Sequence, residues 1–219
     1  MPAKVFTARI RLLNCPRRGA FSCIILVLNK LDGAGADTVL YLPSMRPADR
    51  KSFSMKDVLV QTKMSEDKLS KYEGLSSAVE AVLEKEGEPT LWMATLACLI
   101  REFMDYFWVG FYRVQPDGSL LIGPYQGSLA CLRIPAGKGA CGLCARRGEA
   151  ILIPDVDEFS AHISCDSRSR SEIVIPVKDR EGRVRAVLDI DSTETEAFDF
   201  LDQTRLESIV AMMQRIEWD

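Results

Sequence analysis

The sequence has no apolar stretch approaching the roughly 18 residues that cross a bilayer as a helix. Its longest, Cys23 to Leu28, is strand-sized, and a membrane-spanning protein is thereby excluded. A stripe of clustered Lys and Arg is also missing, which argues against nucleic acid as the principal partner, because neutralising phosphates needs such clusters. No charged start leads into a long apolar centre and a small-residue cleavage site, so a secretory signal is not legible. The seven cysteines, an odd number, are therefore read in a reducing compartment, where they serve structure, metal binding or catalysis. A cytoplasmic location is expected. Repeats and low-complexity tracts are absent as well.

What is present suits one globular domain plus an appendage: 219 residues, 47% of them hydrophobic. The net charge of −3 conceals an asymmetry. Residues 1–56 carry ten Lys/Arg against three Asp/Glu, whereas residues 57–219 carry eighteen against twenty-eight, or +7 and −10. Lys4, Arg9, Arg11, Arg17, Arg18 and Lys30 with no acid before Asp32 match a mitochondrial transit peptide, and an upstream start codon would leave a similar leader. Leu42 to Pro47 reads as a linker. Residues 1–64 are expected to be leader and linker, and the folded domain to occupy 65–219.

Within that domain, Leu69, Tyr72, Leu75, Val79, Val82 and Leu83 recur at helical spacing over Lys68 to Lys85, with Gly87 as a stop. Pro89 fits a first helical position, and Leu91 to Met104 is apolar nearly all round, predicting a helix sandwiched in the core with Cys98 packed inside it. Strands are predicted over Phe107–Val114 and Leu120–Gln126, joined by the turn Pro116-Asp117-Gly118. Short strands follow at Cys131–Ile134 and Ala150–Ile153, around a glycine-rich loop and short helix at Gly137–Arg147. Glu172–Val177 and Val184–Ile190 flank Asp179-Arg180-Glu181-Gly182 as a second hairpin. Asp199 caps a last helix whose stripe is Leu206, Ile209, Val210, Met213 and Ile216. Hairpins between terminal helices imply an α+β fold with a central antiparallel sheet flanked by helices.

Strand alternation places Trp108, Gly110 and Tyr112 on one face, and separates Val184, Ala186, Leu188 and Ile190 from Arg185, Val187, Asp189 and Asp191. Two carboxylates pointing the same way repel, so a half-buried pair holds a cation, shares protons or stays wet; a ligand ammonium fits. A solvated strand end would look the same, and Trp108 and Tyr112 alone would read as core. Cys131, Cys141, Cys144 and Cys165 fall close together with the one histidine, His162. Cys141, Cys144, His162 and Cys165 have zinc-ligand spacing, although a domain of this size folds without a metal. A thioredoxin-like Cys141/Cys144 disulfide lacks its usual βαβ setting. In a third reading one cysteine is a nucleophile and another resolves it; Cys165 suits this, with Arg168 and Arg170 nearby to favour thiolate.

Several motifs taken together resemble a known family: Trp108-Val-Gly-Phe-Tyr112, Gly123-Pro-Tyr-Gln-Gly127, Gly137-Lys-Gly-Ala-Cys141-Gly142, Asp155-Val156, His162-Ile-Ser-Cys165-Asp166, Ser171-Glu-Ile-Val-Ile-Pro176 and Leu188-Asp-Ile-Asp-Ser192. They are similar, in order and spacing, to free methionine-(R)-sulfoxide reductases over about Leu69 to Ile216. The resemblance implies a GAF-like domain that reduces free L-methionine (R)-S-oxide, with thioredoxin as electron source and no bound cofactor or metal. It implies Cys165 as nucleophile, Cys131 as its resolving partner and Cys141 as a further redox cysteine. Its substrate pocket maps onto Trp108, Tyr112, Glu172, Asp189 and Asp191. Pairing through terminal helices into a homodimer is compatible with it. Two alternatives stay open: a GAF small-ligand sensor without turnover, and a Cys/His structural zinc protein.

Overall fold

The computed structural model describes residues 7–10, 24–29, 38–42, 55–159 and 165–218, with side chains from 67 onward. The chain divides into two units, Met1–Glu66 and Asp67–Asp219. In the first, β1 (Thr7–Ile10), β2 (Ile24–Asn29) and β3 (Thr38–Leu42) pair antiparallel in that order. The apolar run near residue 25 is the middle strand of that sheet. Pro43 to Pro47 of the expected linker lie outside the described residues.

Helix α1 (Met55–Leu83) begins well before Lys68, because residues 55–67 contain no proline or glycine to stop it. α2 (Pro89–Met104) starts on its proline, capped by the Glu88 carboxylate, which accepts from Thr90 N and Leu91 N. β4 (Trp108–Val114) and β5 (Leu120–Gln126) make the first hairpin, β6 (Arg133–Ile134) is a two-residue strand, and α3 (Gly139–Arg147) leads into β7 (Ile151–Ile153). β8 (Ser171–Lys178) and β9 (Val184–Ser192) make the second hairpin, whose turn is fixed by the Asp179 carboxylate accepting from Glu181 N and Arg183 N. α4 (Phe200–Ala211) opens on a capping box formed by Asp199 and Asp202. Among the described residues no helix is long and apolar enough to cross a membrane.

The main sheet runs β6-β5-β4-β9-β8-β7, antiparallel throughout. Its two faces are both buried, which is why β8 and the middle of β9 read as nearly continuous apolar runs. One face, with Val109, Phe111, Ile173, Ile175, Leu188 and Ile190, packs against the core residues of α1, α2 and α4. The other carries Trp108, Tyr112, Val174 and Val187 beneath α3, whose Ala140, Cys141 and Cys144 cover them. Each fully buried aliphatic side chain here contributes roughly 1.5–3 kcal/mol.

Two expectations need correction. α2 is not apolar-buried on every side: Trp92, Met93, Leu96 and Ile100 face the core, but Leu91 and Cys98 are exposed, because only one face of the helix meets the sheet. Cys98 is a surface thiol. In β9, Val184 departs from simple alternation: Lys178 pairs with Val184 while Val177 pairs with Ala186, and this bulge turns Val184 toward the α3 side.

Candidate active site

Cross-strand register assembles the polar cluster. Asp191 lies opposite Trp108 on one neighbour and Glu172 on the other, while Asp189 lies opposite Gly110 and Val174. Three adjacent strands thus bring Trp108, Glu172, Asp189 and Asp191 to the α3 side of the sheet. With Tyr112, Cys141, Cys165, Asp166 and Ser169 they line one cavity. Its volume is about 30 Å³ in this disulfide-bonded state, and it opens to solvent.

The aromatic wall is built on missing Cβ atoms. The Trp108 indole stacks on Tyr125 with ring centroids 5.6 Å apart and on Tyr112 at 6.1 Å, and its Nε1 donates to Ser128 O at 3.0 Å. A Cβ on Gly127, whose φ is +139°, would fall 2.4 Å from Trp108 Cδ1, so only glycine leaves the indole its seat. Tyr112 is 1% exposed and its hydroxyl donates to Cys131 O at 3.0 Å.

Cys131 and Cys165 are joined as a disulfide, with Cα atoms 5.2 Å apart across 34 residues of sequence. Of this pair, Cys165 lines the cavity. Cys141 is 3% exposed, and its thiol donates to Glu172 Oε1 at 4.0 Å. Cys144 is sealed in the α3 layer, donating to Val174 O at 3.7 Å. The zinc quartet weighed from spacing is not assembled by these contacts: Cys165 bonds to Cys131, Cys144 faces a backbone carbonyl, and His162 lies outside the described residues. Among the described residues, the donor set that does converge is Cys141, Glu172 and Asp189, whose ligand atoms all lie within 4.8 Å of one another.

Burial, then mutual repulsion, makes this cluster proton-retaining. Glu172 is held well above the usual carboxylate range by burial and by the neighbouring Asp189 and Asp191 charges. Burial likewise lifts Asp191, with Asp189 adding to it. Burial pushes Asp189 to about 6, against the pull of hydrogen bonds with Cys141 and Glu172. Its Oδ1 is buried without a hydrogen-bond partner in the chain, an acceptor that a bound donor would satisfy. The Cys141 thiol is pushed up by burial first and by Asp189 and Glu172 next. The cations expected to favour a Cys165 thiolate are engaged elsewhere: Arg168 forks onto Asp166 at 3.0 and 2.8 Å, and Arg170 pairs with Asp157 at 2.6 Å.

A GAF-domain family profile matches residues 93–217. A protein of Saccharomyces cerevisiae named free methionine-R-sulfoxide reductase is 35% identical over 172 residues, covering 77% of this chain and 92% of its own. An Escherichia coli protein of the same name is 40% identical over 131 residues, 58% of this chain and 78% of its own. The chain belongs to the GAF-domain free methionine-R-sulfoxide reductase family. The X-ray structure of the Neisseria meningitidis free methionine-R-sulfoxide reductase, in complex with its substrate, superposes with a TM-score of 0.64 at 37% identity, covering 66% of this chain and 86% of that one.

In this free methionine-R-sulfoxide reductase family member, all eight residues singled out from sequence meet around one cavity, seven in its wall and Cys131 through its bond to Cys165. Sequence reasoning gave no role to four further residues. Ser128 Oγ donates to Asp166 Oδ2 at 2.6 Å, clasping the two loops that carry the disulfide. Ser169, 6% exposed, stands in the wall beside Asp191 and pulls its pKa back down. Gly110 and Gly127 carry the indole. Gly110, Gly127 and Asp166 fall inside the quoted motifs and Ser128 next to one, while nothing in the sequence marked Ser169.

Proposed function

We propose that the protein reduces free L-methionine (R)-S-oxide to L-methionine, with Cys165 as nucleophile, Cys131 as resolving thiol and thioredoxin as the reductant. The observation that carries this reading is the cavity itself, in which a sulfur covalently paired with a second cysteine shares its walls with two stacked aromatics and four carboxyl groups. A small amphiphilic zwitterion suits such a site: Trp108 and Tyr112 hold methyl and methylene groups, while Asp189, with its unpaired buried oxygen, and Asp191 accept from an ammonium. A residue within a peptide offers no ammonium there and leaves that oxygen unsatisfied, which selects the free amino acid.

A sulfoxide sulfur becomes electrophilic when its oxygen is protonated, and a carboxyl group that keeps its proton near neutrality can supply that proton. Glu172, raised by burial and by two neighbouring carboxylates, is the group for that role. The Cys165 thiolate attacks, the S–O bond breaks, methionine departs and the oxygen stays as Cys165 sulfenic acid. Cys131 then displaces that oxygen as water and the disulfide forms. Cys141, a second thiol in the wall, stands in reserve for the same exchange. Every redox step is carried by sulfur, and the scheme calls for no bound cofactor.

The test is an NADPH-coupled assay with thioredoxin and thioredoxin reductase, comparing the R and S epimers of the free sulfoxide with a peptide-bound form. Turnover of free R alone is expected, and it disappears in Cys165→Ser. Activity of that variant with thioredoxin, or preference for the peptide form, overturns the reading.

A further inference from the structure

Three donors meet in the pocket from three different elements. Cys141 comes from the first turn of α3, Glu172 from the start of β8 and Asp189 from β9, and they are 3%, 6% and 7% exposed. Glu172 and Asp189 are diagonal neighbours in the β8–β9 ladder, where Glu172 pairs with Asp191 and Val174 with Asp189. Cys141 is held over them by a close approach of backbones. A Cβ on Gly142 would fall 2.8 Å from the Gly137 carbonyl carbon, so the turn of α3 that carries the cysteine rests directly on the loop before it. Among the described residues, this is the one place where three or more His, Cys, Asp or Glu side chains gather their ligand atoms, all within 4.8 Å.

Buried charges are paired with opposite charges or coordinate metals. The described residues that line this cavity include four carboxyls and no Lys or Arg. Among them Asp189 Oδ1 is buried with no hydrogen-bond partner in the chain, an oxygen whose lone pairs a cation satisfies. The donor set then selects the cation. One thiolate and two carboxylates suit zinc, a borderline-soft ion that takes three protein ligands and leaves a fourth position to solvent, to which this cavity opens. Mg²⁺ and Ca²⁺ take shells of oxygen, in which sulfur is a poor ligand.

We propose that Cys141, Glu172 and Asp189 bind a zinc ion that shuts the pocket to substrate. The ion acts as an inhibitor and not as a cofactor, since every redox step of the proposed scheme is carried by sulfur. Cys141 Sγ, one Glu172 oxygen and one Asp189 oxygen coordinate it, and the thiol proton, with any carboxyl proton of the pair, leaves to solvent. Zinc binding stands on the convergence of the donors alone, whereas the inhibition rests on the proposed catalytic reading. In that reading Glu172 brings a proton to the sulfoxide oxygen and Asp189 accepts from the ammonium. A carboxylate bound to zinc does neither, so zinc and sulfoxide exclude each other.

Two measurements on the full chain decide it. The first uses Cys15→Ser/Cys23→Ser/Cys98→Ser protein, oxidised so that Cys131 and Cys165 are tied in their disulfide. It is titrated with Zn²⁺ by calorimetry and with Cd²⁺ by ultraviolet absorbance, in which a thiolate-to-cadmium band reports sulfur ligation. Binding of a single Zn²⁺ per chain is expected, with a cadmium band that is lost on adding Cys141→Ser and kept on adding Cys144→Ser, whose sulfur faces the Val174 carbonyl. Asp189→Asn leaves the cysteine in place and weakens Zn²⁺ at least about a hundredfold, the upper end of the cost of disturbing groups behind a metal ligand. A band that survives Cys141→Ser, or full affinity in Asp189→Asn, overturns the site. The second measurement follows binding of the free R sulfoxide to reduced Cys165→Ser protein. With Zn²⁺ at ten times its own Kd, the sulfoxide Kd rises about tenfold by mass action, and sulfoxide binding indifferent to zinc overturns the inhibition. Protein that binds no sulfoxide even without zinc sinks the catalytic reading instead, and the titrations still decide the metal site.

Discussion

Trp108 lies across the backbone of Gly110, so closely that a Cβ at position 110 would fall 2.3 Å from Trp108 Cη2. The same Cβ would meet Tyr125 Cβ at 2.5 Å, leaving no direction in which to yield. Gly110→Ala therefore displaces the indole from the cavity wall and destabilises the domain by about 2 kcal/mol, the usual cost of overpacking. KM for the sulfoxide should rise more than kcat falls, because in the proposed reading the ring binds the substrate's apolar part and takes no part in the sulfur chemistry. Steady-state kinetics with a denaturant midpoint check this, and an unaltered KM would show that the indole is core only.

Alternation put Trp108 with Tyr112 and Asp189 with Asp191 on one face of their own strands, the family resemblance implied that they and Glu172 share a pocket, and the cross-strand register of β4, β8 and β9 is what brings them together. The bulge that redirects Val184 was not legible, since an extra residue leaves no mark on an apolar sequence. Nor was the exposed side of α2: Cys98 and Leu91 are apolar by type, and only the position of the sheet decides which helical face is covered. The pairing of Arg168 with Asp166 illustrates a third limit. Composition showed cations near Cys165, but which acid each meets depends on loop geometry.

Ser128 and Asp166 bond at 2.6 Å, adjoining the disulfide and joining the same two loops. The Asp166 carboxyl is held well below the usual range by hydrogen bonds from Arg168 and then from Ser128, so it is an anion at working pH and the contact is charge-assisted. Once the disulfide is reduced, this clasp keeps Cys131 near Cys165. In Ser128→Ala the Cys165 sulfenic acid should persist about tenfold longer, as expected for a lost hydrogen bond to a charged group. A sulfenic-acid trap in single-turnover mixing measures it; disulfide formation at the wild-type rate would remove Ser128 from the mechanism.

Cys131→Ser separates the two halves of the scheme. The first half needs only Cys165 and the pocket, so one equivalent of methionine should form per chain in a burst, leaving one oxygen on Cys165. Continued thioredoxin-driven turnover would instead assign the resolving role to Cys141, whose thiol already stands in the wall.

The carboxyl cluster makes stability depend on pH in a stated direction. The native Asp189 keeps its proton up to about 6, against about 3.9 for an unperturbed aspartate. Between these values the native state binds more protons than the unfolded chain, so its contribution to stability is full below about pH 4 and is lost as pH rises through about 6. Glu172 and Asp191, raised in the same sense, carry the decline further upward. Asp189→Asn should flatten the fall in melting temperature between about pH 4 and about pH 7. A variant with the wild-type slope would show that the cluster is not proton-linked to folding.

Asp202 is the polar centre of the opposite face of the sheet, far from redox chemistry in its contacts. Fully buried, it accepts from Tyr72 Oη and Tyr106 Oη at 2.8 Å each and from Lys68 Nζ at 2.6 Å, and its Oδ2 also takes Asp199 N at 2.8 Å. One carboxylate thus ties α1, the α2–β4 junction and the start of α4. Burial raises its pKa and the Lys68 charge pulls it back, while Lys68, lowered by burial, is lifted overall by Asp202 and Asp199. Asp202→Ala removes the acceptor shared by Tyr72 and Tyr106, which keep each other at 3.1 Å, and by Lys68, which keeps Asp199 at 3.1 Å, and should cost about 1.5–3 kcal/mol, the range for losing hydrogen bonds to a charged group. The proposed sulfoxide-binding residues are on the other face, over a sheet whose middle strands are fixed by their own ladders, so kcat and KM measured well below the lowered melting temperature should stay at wild-type values. A fall in kcat among molecules that remain folded would mean that the helical layer sets the geometry of the cysteine pocket.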